Sequence, residues 1–115
     1  MVKYALLAYS SGEASGQPGA RDMHPGIAAV LDRPDVSGWL RLQPAESATT
    51  VRLEARRTLL TDGPFVDSKE FLGGLIVVEA DNLDGALALA AELQEVDLTV
   101  AIEVRPVLEQ VHRGA

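Results

Sequence analysis

The sequence contains no cysteine among its 115 residues. This absence excludes disulfide bridges, thiolate metal sites and cysteine nucleophiles. Aromatic residues make up only 4% of the chain, so a hydrophobic core must be built mainly from leucine, valine, alanine and isoleucine. No apolar run approaches the roughly 20 residues that a membrane-spanning helix needs. We therefore expect a protein without covalent cross-links and without a membrane partner.

Positive charge is also scarce. Ten basic residues stand against seventeen acidic ones, which gives a formal net charge of −7. Binding to nucleic acid or to anionic lipid requires clustered cations that neutralise phosphate groups. The basic cluster of Arg52, Arg56 and Arg57 is interpreted as solvated strand and turn charge. Nucleic acid is therefore not expected as a partner.

Histidine is rare, with only His24 and His112. Two histidines without clustered ligand spacing do not make a stable metal site, so neither a metal nor a cofactor is predicted. The chain also lacks a glycine-rich phosphate loop that opens a helix, and it lacks a nucleophile elbow. These motifs therefore give no reaction class.

The apolar fraction of 47% favours a globular fold, and the length suits one domain with one core. We predict a single domain over residues 1–108 and a loose tail over residues 109–115. The first ten residues carry one cation and a short apolar segment, without the length or cleavage pattern of a signal peptide. They are interpreted as a strand, and the predicted location is cytoplasmic.

Apolar patterning predicts six strands and two helices. Strands are expected at residues 3–9, 38–43, 49–54, 57–61, 75–79 and 99–105, and helices at residues 24–31 and 83–95. The strands at residues 3–9 and 75–79 carry apolar side chains on both faces, which predicts a central place in the sheet for both. The second helix is capped by Asp81 and Asn82. Its predicted buried side consists of Leu83, Ala86, Leu87, Ala90 and Leu93.

The order of these elements predicts an α+β fold. Without the hairpin inserted at residues 49–61, it matches the ferredoxin-like split βαβ plan, an antiparallel sheet with both helices on one face. The other face would leave about six apolar side chains in water, which forfeits about 1.5–3 kcal/mol each. A second subunit stacked on that face would remove this conflict. A homodimer through sheet-to-sheet packing is therefore predicted.

Polar chemistry is concentrated at residues 61–74, between two predicted strands. Asp62 can fix a turn by accepting backbone hydrogen bonds, or it can act as a general base. Gly63 has a structural role, because glycine escapes the restriction that Pro64 places on the preceding residue. Phe65 can anchor the loop on the core or form the wall of a pocket.

Other residues of this segment also have two interpretations each. Asp67 can cap the loop or bind a ligand. Lys69 and Glu70 can form a solvated charge pair, whereas Lys69 at a dimer cleft would offer a cation to a carboxylate or phosphate ligand. Gly73 and Gly74 indicate a bulge or a close approach of the backbone to a ligand or partner.

Five short motifs are distinctive: Thr61-Asp-Gly-Pro-Phe65, Asp67-Ser-Lys-Glu70 and Leu72-Gly-Gly74, and also Leu42-Gln-Pro44 and Ala48-Thr-Thr-Val-Arg52. Together they resemble the DGPF-motif branch of the YCII-related proteins. The resemblance covers residues 2–9 and 38–108. It implies a dimeric α+β barrel of ferredoxin-like subunits, with a His–Asp pair in a cleft at the dimer edge.

The resemblance leaves three hypotheses for function. In the first, the protein is a small enzyme in which His24 and Asp62 form an acid–base pair and Lys69 is an electrophilic group, acting on a small organic acid. In the second, it is a non-catalytic ligand-binding or regulatory module, because some relatives occur near sigma factors. In the third, the motif only stabilises a structural dimer, and His24 is a surface or capping residue.

Overall fold

The structure is a computed structural model that describes residues 1–11, 25–66, 69–97 and 101–111. Its elements are β1 (Val2–Ser11), α1 (Pro25–Leu31), β2 (Val36–Arg41), a 3-10 helix (Ala45–Ser47), β3 (Thr49–Glu54), β4 (Arg57–Asp62), β5 (Glu70–Ala80), α2 (Leu83–Asp97) and β6 (Ala101–Pro106). This order follows the predicted one. Within the described ranges, no helix is both long and apolar enough to cross a membrane.

Four strands form an antiparallel sheet in the order β2-β5-β1-β6. The two strands with apolar side chains on both faces, β1 and β5, lie in the centre, as predicted. The α+β class is confirmed, and the strand order is compatible with a ferredoxin-like fold.

The core lies between this sheet and the two helices. Leu6 of β1 and Val78 of β5 are fully buried beneath α2. Their burial stabilises the fold by about 1.5–3 kcal/mol for each side chain. Helix α1 contacts α2 and packs Ile27 and Val30 against the same cluster, so both helices cover one face of the sheet. The opposite face has no covering layer among the described residues.

The predicted buried side of α2 is wrong at two positions. Leu83 and Leu87 are nearly half exposed, whereas Leu89, which was not predicted, is buried. The buried set is Ala86, Leu89, Ala90 and Leu93, which follows the i, i+3, i+4, i+7 spacing of one helix face. The predicted cap is present, because the Asn82 side-chain oxygen accepts a hydrogen bond of 3.1 Å from the Gly85 N–H.

Strands β3 and β4 form a separate two-stranded antiparallel sheet, here called the arm, residues 49–62. Its turn residues Ala55 and Arg56 both have positive φ, 48° and 65°. Left-handed conformation at both central positions is what a two-residue turn of type I′ requires, although glycine or asparagine is the usual choice. Every residue from 51 to 62 is exposed, so the arm packs little against its own subunit.

A bulge interrupts β5 beside β1. The register shifts between Ala8, which lies opposite Gly74, and Tyr9, which lies opposite Leu72, so Gly73 is the extra residue. A Cβ atom added to Gly74 would lie 3.1 Å from the carbonyl oxygen of Leu40. The bulge expected at these glycines is observed, whereas the close approach at Gly74 is to the backbone of β2 and not to a ligand or partner.

Candidate functional site

The site is built on the turn that closes the base of the arm. Asp62 ends β4 and lies opposite Thr49, and Gly63 follows with a φ of 98° that favours glycine. The Gly63 N–H donates to the carbonyl oxygen of Ala48 at 2.8 Å, and the Thr50 hydroxyl donates to the Gly63 carbonyl oxygen at 2.8 Å. These two bonds fix the turn from both sides of Gly63.

The carboxylate of Asp62 takes no part in fixing this turn. Its side chain is exposed and has neither a hydrogen bond nor an ion pair with any described residue. The backbone that carries it is nevertheless held by the bonds of Gly63. A carboxylate whose backbone is fixed and whose oxygens have no partner among the described residues can bind a ligand or accept a proton.

Phe65 does not anchor the loop on the core, because 71% of its surface is exposed. The Arg52 guanidinium lies over its ring, 5.6 Å from the centroid, and forms an ion pair of 3.4 Å with Glu54. A cation over an aromatic face at an exposed site contributes about 0.5–1 kcal/mol. The ring and the guanidinium therefore form one exposed surface between β3 and the turn that follows β4.

The remaining predicted site residues are Lys69, Glu70, His24 and Asp67. Lys69, directly before β5, and Glu70, its first residue, are exposed. His24 and Asp67 lie outside the described residues. The structure therefore brings Asp62 and Phe65 onto one turn, and the pairing of His24 with Asp62 stays a prediction.

An open groove of about 500 Å³ lies elsewhere, between α1 and the edge strand β2. Its walls are mainly apolar and consist of Pro25, Ala28, Ala29, Leu31, Asp32 and Trp39. None of these residues belongs to the 61–74 segment. No group of three or more potential metal ligands is found among the described side chains.

Sequence reasoning missed the contributions of Thr50 and Arg52. Both lie on the same face of β3, two residues apart, and both reach the turn that follows β4. The signal was the strand register: once Thr49 lies opposite Asp62, alternation directs Thr50 and Arg52 to one side of the arm. The sequence alone predicts Arg52 only as a solvated charge.

Comparison with known proteins gives two results. The family model of the YCII-related domain matches residues 2–110. An uncharacterized protein of Rhizobium meliloti (strain 1021) is 40% identical over 67 residues, which cover 57% of this chain and 54% of that protein. The chain thus spans about half the length of this curated relative.

Proposed function

The chain belongs to the YCII-related domain family, and from this premise we propose that it is a small enzyme acting on an organic acid. The single observation that carries the proposal is the Asp62 carboxylate, exposed and unpaired among the described residues, on a turn held at Gly63. The motif Thr61-Asp-Gly-Pro-Phe65 supports placement in the DGPF-motif branch of the family.

In the proposed reaction Asp62 acts as a general base. His24 serves as its acid–base partner, and together they move a proton to and from the substrate. The substrate carboxylate is held by Lys69, with the Arg52 guanidinium as a second cation beside the ring of Phe65. Local cations are needed for this substrate, because the chain as a whole carries a net charge of −7.

The proposed enzyme is a homodimer that packs sheet to sheet as a dimeric α+β barrel. Leu6 and Val78 face the helices, so strand alternation directs Leu7 and Val77 to the uncovered face. Leu40 of β2 lies opposite Leu75 on that face and is nearly half exposed. Burying such side chains in a second subunit would stabilise the pair by about 1.5–3 kcal/mol for each fully covered residue.

A second function is favoured by the contact between Arg52 and Phe65. A guanidinium over an exposed ring can bind a planar anion through charge and stacking, without any proton transfer. On this alternative the protein is a non-catalytic ligand-binding or regulatory module, one that works with a transcription factor. Asp62 would then contribute to binding only.

The two functions differ in proton transfer, which can be measured with pyruvate as the probe. Exchange of its methyl protons in D₂O is followed by NMR, while the backbone amide signals of Gly63 and Phe65 report binding. For an enzyme, the wild-type protein accelerates the exchange and Asp62→Asn lowers the rate by about 10²–10⁴-fold. The matched control is Asp81→Asn, an exposed aspartate before α2, which should leave the rate unchanged.

The outcomes separate the candidates. Shifted amide signals without any exchange support the binding module and contradict the enzyme. Unshifted signals with pyruvate, acetate and benzoate contradict both functions. A crystal structure of the dimer tests the acid–base pair directly: an imidazole and a carboxylate more than about 8 Å apart in every subunit combination contradict it.

A further inference from the structure

We infer that the arm packs against a second copy of this chain. The inference rests on the proposed homodimer and extends it from the sheet face to the arm. The arm is a sheet of only two strands, and all of its residues from 51 to 62 are exposed. An isolated two-stranded hairpin is at best marginally stable in water, because its apolar side chains have nothing to pack against. The described part of its own subunit therefore offers the arm no packing surface.

The register of the arm gives it one apolar face. Val51 lies opposite Leu60, and Leu53 lies opposite Thr58, so all four side chains point to the same side. The three large apolar residues Val51, Leu53 and Leu60 are 67%, 73% and 70% exposed. Scattered exposed apolar residues are ordinary on protein surfaces, but a contiguous set on one face marks an interaction site.

The other face of the arm carries polar side chains besides Leu59, which lies opposite Arg52, and it already has contacts. Arg52 pairs with Glu54 and lies over Phe65, while the hydroxyl of Thr50 binds the turn at Gly63. The two faces therefore differ in their side chains and in whether those side chains have contacts. Only the face of Val51, Leu53 and Leu60 lacks a partner among the described residues.

Charge complementarity favours another copy of this chain as the partner. The arm contains three arginines and two carboxylates, Glu54 and Asp62, which gives it a net charge of +1. Because the whole chain carries −7, the residues outside the arm carry −8. Arg56 and Arg57 at the tip have no ion pair within the described residues. A basic tip on an otherwise acidic chain is complementary to the surface of a second copy.

The position of the arm agrees with this partner. The arm follows β2, one of the two edge strands of the sheet, and Leu40 of β2 lies on the uncovered face proposed for dimerisation. A second copy stacked on that face would lie beside the root of the arm.

The absence of cysteine allows a direct test, because Leu60→Cys introduces the single thiol of the chain. Its rate of reaction with Ellman's reagent is measured above and below the protein concentration at which sedimentation shows dimer formation. The control is Leu108→Cys, at a leucine that is 97% exposed and outside the arm. In the dimer, the thiol at position 60 should react at least about ten-fold more slowly than the thiol at position 108. On dilution to the monomer the two rates should converge.

The outcomes separate the arm inference from the homodimer proposal. A wild-type protein that sediments as a dimer while the thiols at positions 60 and 108 react alike overturns the arm inference and leaves the homodimer standing. A wild-type protein that stays monomeric overturns the homodimer and the inference with it. If Leu60→Cys itself prevents dimerisation, Leu53→Cys on the same face is measured in its place. Protection there supports the inference, and its absence in a dimer overturns it.

Discussion

The hydroxyl of Thr50 donates a hydrogen bond of 2.8 Å to the carbonyl oxygen of Gly63. This bond ties the first strand of the arm to the turn that follows its second strand. The N–H of the same glycine donates to Ala48, so both polar groups of one residue are used to close the base of the arm. The directions in which Asp62 and Phe65 leave the turn depend on these two bonds.

Replacing Thr50 by valine should destabilise the protein by about 1 kcal/mol. Valine keeps the shape and the strand preference of threonine but removes the donor, and a net hydrogen bond contributes about 0.5–1.5 kcal/mol. Urea unfolding measures the difference. The matched control is Thr61→Val, because Thr61 lies directly opposite Thr50 and its hydroxyl has no partner in the described part of the chain. Equal effects of the two substitutions would contradict the role assigned to the Thr50 hydroxyl.

Replacing Gly63 by alanine should cost about 1–2 kcal/mol more than replacing Gly38 by alanine. A Cβ atom meets nothing within 4 Å at either position, so space does not separate them. Only Gly63 has a positive φ, 98°, at which a side chain introduces backbone strain. The comparison of urea midpoints isolates this strain, and similar values for the two variants would exclude it as the reason for glycine here.

The central sheet could be predicted because its signal lies within the strands themselves. Strands such as β1 and β5, with apolar residues on both faces, are expected where both faces of the sheet are covered. Both strands are central in the sheet. The beginning of β5 at Glu70 could not be predicted. Residues 70–74 include two glycines and lack an apolar run, and they become a strand through pairing with Ser11, Ser10 and Tyr9 across the bulge. Such pairing depends on tertiary structure.

The candidate site was located by its motif but not by its contacts. The segment from Asp62 to Phe65 stood out through turn chemistry and charge. The contributions of Thr50 and Arg52 depend on the register of the arm, which no local pattern around residue 62 reveals. For Phe65, the interpretation as an anchor on the core is wrong, because the ring lies exposed beneath Arg52, and the interpretation as a pocket wall stays a prediction.

Leu87 and Leu89 of α2 differ in burial and should therefore differ in their contribution to stability. Leu89→Ala should lower the free energy of unfolding by about 2–5 kcal/mol, because Leu89 is buried in the core cluster and leaves a cavity. Leu87→Ala should cost much less, since its side chain is nearly half exposed and alanine favours the helix. Thermal unfolding of both variants decides the matter, and a larger loss at position 87 would restore the original assignment of the buried side.

The close approach of β2 to the bulge gives the last prediction, at Gly74. An added Cβ would lie 3.1 Å from the carbonyl oxygen of Leu40, which is backbone and can move only if β2 moves. At the neighbouring Gly73 the nearest atom is the hydroxyl oxygen of Ser10 at 3.3 Å, and this side chain can rotate away. A Cβ atom therefore requires a backbone shift at Gly74 but only a side-chain rotation at Gly73.

Gly74→Ala should destabilise the protein by about 1–3 kcal/mol, the usual range for forcing atoms into a packed region. Gly73→Ala should lie within about 1 kcal/mol of the wild-type protein, because the loss of freedom in the unfolded chain contributes about 0.4–1 kcal/mol in its favour. Urea unfolding measures both values. The displacement at Gly74 should also reach the site. Leu42 follows β2 on the way to the arm, and its N–H donates to the carbonyl oxygen of Gly73 at 2.8 Å. Shifted amide signals at Gly63 in Gly74→Ala, with little change in Gly73→Ala, would show this connection, whereas equal spectra would mean that the arm is positioned independently of the bulge.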